Sequence, residues 1–309
     1  MNRKLTVIGL SMLMLFSCKK DNTQPNSSQA GVTSNTTSLR DIHTCSACIY
    51  RPKQGGMSTS AVGIKADFWN NNPNGPVVLR VKFLDNLASS YVRGKIKTYA
   101  KQWEKYANVR FDFVADNQPA DIRITSETSS GSWSYMGKDN LNVPANEATM
   151  NYGWFTDNTA DDEFSRVIVH EFGHAIGLGH EQSHPLNTIK WNKPYVYNYY
   201  LSTNGWSQQM VDDNVFYVFP ASQVVYSAYD KTSIMHYPVP AEFTLNGFTV
   251  GWNTQLSEGD KKFIQLRYPF PKKPHAETAP VDTPESSVGY VDHASNNNLN
   301  HDHAIVDPF

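Results

Sequence analysis

The stretch HEFGHAIGLGHE, residues 170–181, holds three histidines and two glutamates, in a chain of 309 residues with ten histidines in all. Because an α-helix turns once in about 3.6 residues, His170 and His174 project from the same helix face and can reach one metal ion. Glu171 lies one position round from His170, beside that ion, where a base for an attacking water is needed. The stretch therefore predicts a metal site on a helix.

A third ligand requires the chain to turn back after this helix. In a continuing helix, His180 would lie about 15 Å along the axis from His170. Gly177 can take the left-handed conformation at a helix end without steric cost, so the chain can reverse there and bring His180 to the same ion. Three neutral imidazoles with one open position are typical of a catalytic zinc, whereas structural zinc sites fill all four positions, usually with thiolates. Since no cysteine lies within residues 65–270, we predict one catalytic Zn²⁺.

The hydrophobic period predicts the surrounding elements. Strict alternation predicts strands in VVLRVKF (77–83), VRFDFV (109–114) and DIRIT (121–125), and spacings of three and four from Val92 to Tyr106 predict one long helix. The order strand, helix, strand, strand before the metal motif predicts an α+β domain with a mixed twisted sheet backed by helices.

Capping signals place two further helix starts. Thr159 and Asp162 predict a capping box that begins the metal-site helix, and Ser257 and Asp260 predict a second box that begins a last helix. The chain between the metal motif and Ser257 is rich in tyrosine and asparagine and weakly periodic. We therefore expect the C-terminal half to be mostly irregular, with one late helix.

The two ends of the chain differ in composition from residues 65–270, which we predict to form one domain. In residues 1–18, a basic start and an apolar run before a cysteine predict an export signal that is too short to span a membrane. Its end, LFSC, resembles the lipobox of bacterial lipoproteins, whose cysteine, here Cys18, carries the lipid; an ordinary signal peptide is the alternative. Residues 19–64 predict a disordered tether or pro-segment, and residues 271–309 a low-complexity tail.

Either signal takes the protein out of the cytoplasm. The lipidated form predicts a bacterial cell-surface or outer-membrane lipoprotein, bound to the membrane only through Cys18 or released to the extracellular space. A net charge of −2 without a basic block gives no electrostatic surface for nucleic acid, so we expect no nucleic-acid partner. We expect a monomer whose function resides in a site.

Two motifs together resemble a known family of enzymes. HEFGHAIGLGH has the metzincin form H-E-x-x-H-x-x-G-x-x-H, and SIMHYP at residues 233–238 resembles the methionine turn of that clan. With Glu181 directly after the third histidine, the chain resembles the astacin family of zinc endopeptidases. FWNNNPNGPVVLRV (68–81) is similar to the start of an astacin domain, and GSWSYMG (131–137) is similar to its edge-strand segment. The resemblance spans about residues 65–269.

The resemblance implies a two-lobed metzincin-type domain and a role for each site residue. His170, His174 and His180 would bind zinc, and Glu171 would take a proton from the zinc-bound water and pass it to the leaving amine. Met235 would form an apolar floor under the histidines. Tyr237 is similar to the family tyrosine that can ligate resting zinc and hydrogen-bond the oxyanion. Glu181 is similar to the glutamate that holds the trimmed N-terminus of the mature enzyme, which implies removal of residues up to roughly the sixties.

Three features depart from the family pattern. The domain lacks the usual disulfide cysteines, His184 stands where many members have arginine, and no F-x-G-D latency motif precedes the domain. Cys45 and Cys48 favour a local disulfide, although its loop is small and strained; a metal-blocking thiolate, as in matrixins, is the alternative.

The predicted function is zinc-dependent hydrolysis of extended polypeptides, with polypeptides as partners. The alternative is a catalytically silent surface binding protein that retains the fold. The presence of Glu171 favours the enzyme, because a silent protein has no chemical need for a base beside the metal. A zinc hydrolase for non-peptide bonds is weaker, since nothing resembles a sugar or nucleotide site.

Overall fold

The computed structural model describes residues 63–271. Within that range the strands are β1 (Gly63–Ile64), β2 (Val77–Phe83), β3 (Val109–Phe113), β4 (Ile122–Thr125), β5 (Trp133–Ser134), β6 (Met150–Asn151) and β7 (Val224–Val225). The α-helices are α1 (Ser90–Ala100), α2 (Asp161–Ala175), α3 (Lys193–Asn204), α4 (Gln208–Val211) and α5 (Glu258–Arg267). The predicted α+β class is confirmed, and the three predicted strands are β2, β3 and β4.

Five strands form one mixed sheet in the order β3-β2-β4-β6-β5. β2 pairs in parallel with β3 and β4, β4 pairs in parallel with β6, and β5 pairs antiparallel with β6. β5 belongs to the GSWSYMG segment, so this segment supplies an edge strand, as the resemblance implies. β1 and β7 form a separate antiparallel pair.

The larger hydrophobic core lies between the sheet and the first two helices. Alternate side chains of β2 are buried: Val77, Leu79, Val81 and Phe83. They share one cluster with buried side chains of α1 and α2. Phe111 on β3 meets Phe172 on α2 edge to face, with ring centroids 4.7 Å apart. The period-two pattern of the sheet therefore fixes the position of the helix that carries the metal motif.

The predicted helix through Tyr106 is wrong in length. α1 ends at Ala100, and the chain continues in a short 3₁₀ turn that contains Trp103. The amide of Tyr106 donates to the Trp103 carbonyl at 3.0 Å, which tightens the chain before β3. Trp103 is nevertheless fully buried, and its indole N–H donates to the Val169 carbonyl at 2.8 Å. The apolar spacing thus predicts the buried face and not the helix end.

The capping box predicted at Thr159 and Asp162 is wrong. The N-cap of α2 is Ala160, which makes no side-chain cap hydrogen bond. The Thr159 hydroxyl oxygen instead accepts from the amide of Thr156 at 2.9 Å, and the Asp162 carboxylate accepts from the amide of Glu163 at 2.9 Å. Acidic side chains in the first turn still favour the start of the helix, because they complement its positive end.

The C-terminal half contains more helix than expected. The capping box of Ser257 and Asp260 is confirmed at the start of α5, but the expectation of a single helix is wrong because α3 and α4 precede it. α3 carries Pro194 in its first turn and Gly205 after its end, with φ of +68°, which is the asymmetry typical of helix ends. Aromatic side chains around Tyr200 form a second core there.

Several predicted features lie outside the described residues. They are the export signal with Cys18, the tether up to residue 62 with Cys45 and Cys48, and the tail from residue 272. Between residues 63 and 271, no helix has the length and apolar character needed to cross a membrane.

At Gly173 on α2, a change of glycine to alanine should destabilise the protein, although the same change stabilises most helices. Alanine usually stabilises a helix by about 1 kcal/mol relative to glycine. A Cβ added at Gly173, however, would lie 2.5 Å from Met235 Sδ and 3.0 Å from the Trp103 ring. We expect Gly173→Ala to lower the free energy of unfolding by about 1–3 kcal/mol, because the core there becomes overpacked.

Gly94→Ala on α1 is the matched control. Nothing lies within 4 Å of a Cβ added at Gly94, so we expect this variant to raise the free energy of unfolding by up to about 1 kcal/mol. Denaturant titration of the two variants and the wild type measures both changes. Stabilisation of similar size in both variants would contradict the packing described at Gly173.

Candidate active site

The three motif histidines converge at the end of α2. His174 Nε2 lies 3.1 Å from His170 Nε2 and 3.2 Å from His180 Nε2. All three side chains are buried, and one nitrogen of each lies within 4.8 Å of the other two. The structure therefore brings together the three residues predicted as ligands, in a group that could hold one metal ion.

Two backbone carbonyls determine which imidazole nitrogens carry protons. His170 Nδ1 lies 2.8 Å from the Ile234 oxygen, and His174 Nδ1 lies 2.7 Å from the Leu178 oxygen. Because a carbonyl only accepts, each Nδ1 is the protonated donor, and each Nε2 carries a lone pair. Burial lowers the pKa of both imidazoles, so both are neutral at pH 7. Their lone pairs face each other, an arrangement that a cation stabilises.

The reversal at Gly177 brings the third histidine into this group. Gly177 has φ of +95°, and its amide donates to the His174 carbonyl at 2.8 Å. The Leu178 amide donates to the Gly173 carbonyl at 2.9 Å, which closes the helix end. Gly177 therefore has the backbone conformation expected of it at the end of α2. The position is also crowded, since a Cβ there would lie 2.9 Å from the Phe68 ring.

Glu171 lies on α2 between the first two histidines and is fully buried. Burial is the main influence on the pKa of His174 and lowers it, while the negative charge of Glu171 raises it. The carboxylate is therefore close enough to act electrostatically on the metal group, by which we mean His170, His174 and His180. A general base has to lie within reach of the proton that it takes, and this position beside the histidines meets that requirement.

Met235 and Tyr237 bring the methionine-turn segment against α2 and against the histidines. Met235 is buried, and its sulfur approaches the Cβ position of Gly173. The Tyr237 ring centroid lies 4.4 Å from that of His180 and 6.2 Å from that of His170. The methionine-turn segment thus contributes an apolar contact under α2 and an aromatic ring beside the metal group.

Asp260 holds the methionine-turn segment in place, a role that the sequence did not reveal. Its carboxylate accepts from the Ser233 hydroxyl at 2.6 Å and from the Ile234 amide at 2.8 Å. The same carboxylate accepts from the Ser257 amide at 2.9 Å. The capping box identified Asp260 only as a helix cap, because its contact with Ser233 joins residues 27 apart in sequence.

Glu181 lies behind the third histidine, in contact with the methionine-turn segment. Its amide donates to the Met235 carbonyl at 3.0 Å, and its carboxylate accepts from the Asp230 amide at 2.7 Å. Burial raises the pKa of Glu181 well above its ordinary value. A cavity of about 30 Å³ adjoins Glu181, Asp230 and Asp260. This buried carboxylate is therefore available to a positively charged group that enters the cavity.

His184 is buried and hydrogen-bonded at both nitrogens. Its Nδ1 accepts from the Leu186 amide at 2.9 Å, and its Nε2 donates to the Ser227 carbonyl at 2.9 Å. Burial lowers its pKa, so the side chain is neutral at pH 7. It joins the loop after His180 to the segment before the methionine turn.

The Astacin family model (Peptidase family M12A) matches residues 68–268. The chain belongs to the astacin family. Two solved structures of myroilysin are similar to it. One is 45% identical, covers 68% of this chain and 99% of its own, and has a TM-score of 0.64; the other is 44% identical, covers 67% and 87%, and has a TM-score of 0.52.

A curated relative is more distant. Protein SpAN of Strongylocentrotus purpuratus is 26% identical over 163 residues, which is 51% of this chain and 23% of that protein. The chain therefore spans about a quarter of the length of this relative. Residues 68–268 are a peptidase domain of the astacin family, and the three histidines of that domain could hold a metal.

His236 predicts how stability depends on pH. Its side chain is buried, Nδ1 donates to the Tyr237 carbonyl at 2.7 Å, and Nε2 accepts from the Tyr229 hydroxyl at 2.7 Å. Burial lowers the pKa of His236 from 6.5 to about 4. Between these values the unfolded chain binds a proton at His236 and the folded chain does not, so stability falls as the pH drops from 6.5 to 4.

We expect His236 alone to remove about 3 kcal/mol from the free energy of unfolding between pH 7 and pH 4. His236→Asn keeps an amide donor near the Nδ1 position and does not titrate. Denaturant titrations of the wild type and His236→Asn at several pH values, each with zinc, give the difference between the two curves. Parallel curves over this range would show that His236 titrates normally in the folded chain.

Proposed function

We propose that this protein is an exported zinc endopeptidase that hydrolyses peptide bonds of extended polypeptides. The observation that carries the proposal is the convergence of three buried imidazoles, with Nε2 atoms 3.1 and 3.2 Å apart, beside the buried carboxylate of Glu171. The Nε2 atoms of His170 and His174 carry lone pairs that face each other, an arrangement that a bound cation stabilises.

The donor set fits zinc better than a harder metal. Three neutral imidazoles without a carboxylate among them suit Zn²⁺, and residues 63–271, the part of the chain that the structure describes, contain no cysteine that could complete a closed structural site. His170, His174 and His180 would hold the ion. When bound, Zn²⁺ polarises the scissile carbonyl and makes the attacking water more acidic.

Two residues of this chain would move or donate protons. Glu171 takes the proton from the attacking water and passes it to the leaving amine nitrogen, because its carboxylate lies beside His170 and His174. The Tyr237 hydroxyl donates to the carbonyl oxygen as negative charge develops there. A donor of this kind contributes about 3 kcal/mol to transition-state stabilisation.

The edge strand provides a binding surface for an extended substrate. β5 is the last strand of the sheet and runs antiparallel to β6. A polypeptide that pairs with β5 gains backbone hydrogen bonds regardless of its sequence, while side-chain pockets set its preferences. This arrangement supports polypeptides, and not small esters or sugars, as the substrate class.

Replacement of Glu171 tests the proposed chemistry. We expect Glu171→Gln to lower kcat on casein or gelatin by about 10²- to 10⁴-fold, because the variant cannot accept a proton. The metal content should stay at one zinc per chain, since the three histidines are intact. Chelation should abolish wild-type cleavage, and added zinc should restore it.

Glu258→Gln is the control, because Glu258 lies on the exposed side of α5 and pairs with Lys261. We expect its activity to match the wild type. Cleavage by Glu171→Gln at the wild-type rate would refute the mechanism. A wild-type protein that binds casein without cutting it would favour the catalytically silent binding protein.

Maturation is part of the same proposal. We propose that Cys18 carries the lipid of the exported precursor, and that the α-ammonium group of a trimmed chain pairs with Glu181. The buried carboxylate and its adjoining cavity support this pairing, because an entering cation would relieve the unfavourable burial of the charge.

The mass of the active form tests this maturation. We expect intact-mass analysis of active enzyme to place its first residue in roughly the sixties, where the resemblance begins. Glu181→Gln should lower the melting temperature of the trimmed form and leave that of the untrimmed form nearly unchanged. Full activity with residues 19–60 still attached would remove the proposed role of Glu181.

A further inference from the structure

Tyr237 lies on a segment without regular secondary structure. Its peptide groups therefore cannot be held by a helix or sheet ladder, and each needs another partner if it is buried. Tyr237 is buried, so the direction of its ring depends on the groups that bind its amide and its carbonyl. Both partners are side chains, one from a distant loop and one from the neighbouring residue.

Gln182 binds the amide of Tyr237. Its Oε1 accepts from the Tyr237 amide at 3.1 Å, and its Nε2 faces the Asn214 carbonyl at 3.4 Å. The amide can satisfy both partners in only one orientation, because the Tyr237 amide must donate and the Asn214 carbonyl must accept. The backbone carbonyl of Gln182 also accepts from Asn187, and the Gln182 side chain is fully buried.

His236 binds the carbonyl of Tyr237 and is itself oriented. Its Nδ1 donates to that carbonyl at 2.7 Å, which leaves Nε2 to accept from the Tyr229 hydroxyl at 2.7 Å. This interaction is local to the turn. Gln182 is different, because it lies only two residues after His180, on the loop that supplies the third imidazole.

We infer that Gln182 is a positioning residue for catalysis, which acts by holding the Tyr237 backbone so that the Tyr237 hydroxyl meets the developing oxyanion. The inference rests on the proposed role of Tyr237. Gln182 links the loop of His180 to the segment of Tyr237, and the Tyr237 ring centroid lies 4.4 Å from the His180 ring. Loss of this link displaces the hydroxyl from its target without removing it.

A double-mutant cycle tests whether Gln182 acts through Tyr237. In Gln182→Met the side chain has a similar length, but it lacks the oxygen that accepts from the Tyr237 amide. We expect it to lower kcat by about tenfold with KM changed less than about twofold, because misplacement of a donor weakens the transition state more than the bound substrate. Tyr237→Phe should lower kcat by about 100-fold, and the double variant should match Tyr237→Phe alone.

Each departure from this pattern has a distinct meaning. Multiplication of the two effects in the double variant, or no effect of Gln182→Met, would overturn the role of Gln182 while leaving the proposed function intact. Full activity of Tyr237→Phe would refute the oxyanion role of Tyr237 and the inference with it. Activity equal to wild type in Gln209→Met, an exposed glutamine on α4, controls for the loss of a glutamine as such.

Measurements besides activity distinguish positioning from loss of folding. We expect Gln182→Met to keep one zinc per chain. By calorimetry it should bind a phosphinic peptide about tenfold more weakly, since an oxygen of the tetrahedral phosphinic group takes the position of the oxyanion. In Gln182→Glu, a protonated carboxyl group can accept from the Tyr237 amide and donate to the Asn214 carbonyl, so at a pH low enough to keep it protonated this variant should recover most of the affinity and of kcat. Unchanged phosphinic-peptide affinity in Gln182→Met, or equal losses in both variants, would overturn the inference.

Discussion

The hydrogen bonds on the far nitrogens of the metal-group imidazoles constrain the whole site. His170 can present Nε2 to a metal only while the Ile234 carbonyl accepts from its Nδ1, and His174 depends in the same way on the Leu178 carbonyl. These acceptors come from the methionine-turn segment and from the chain reversal after α2. The metal group therefore requires α2, the reversal and the methionine turn to be assembled together, and each of these elements is fixed by a different contact.

The contacts that fix those elements are hydrogen bonds between buried polar groups, and removing such groups from water costs free energy. Asp260 anchors the methionine turn through two hydrogen bonds, and Gln182 and His236 bind the peptide groups of Tyr237. Buried polar groups stabilise a fold only when their partners are in place, so such a network favours one arrangement strongly over slightly shifted ones. The proposed site, in which a base, a donor and three ligands have to keep fixed relative positions, benefits from this selectivity more than from additional apolar packing.

Local patterns are enough to predict β2, β3 and β4, the grouping of the three motif histidines and the chain reversal at Gly177, because each depends on residues within one short stretch of sequence. The capping box predicted at the N-terminus of α2 is wrong because the Thr159 hydroxyl oxygen accepts from the amide of Thr156 instead. The sequence does not show which of the two nearby amides this hydroxyl will bind. The roles of Gln182 and Asp260 could not be predicted for another reason. Their partners lie 55 and 26 to 27 residues away in sequence, and only the folded chain brings them together.

Gly173 lies between His170 and His174 on α2, and the space beside its backbone is filled by Met235 and Trp103, which are distant from each other in sequence. Three positions far apart in sequence therefore share one small volume. A larger residue at any of them has to be matched by a smaller one at another, so these positions should vary together among related chains or not at all. The size of these neighbours, and not a special backbone conformation, therefore accounts for the glycine at position 173.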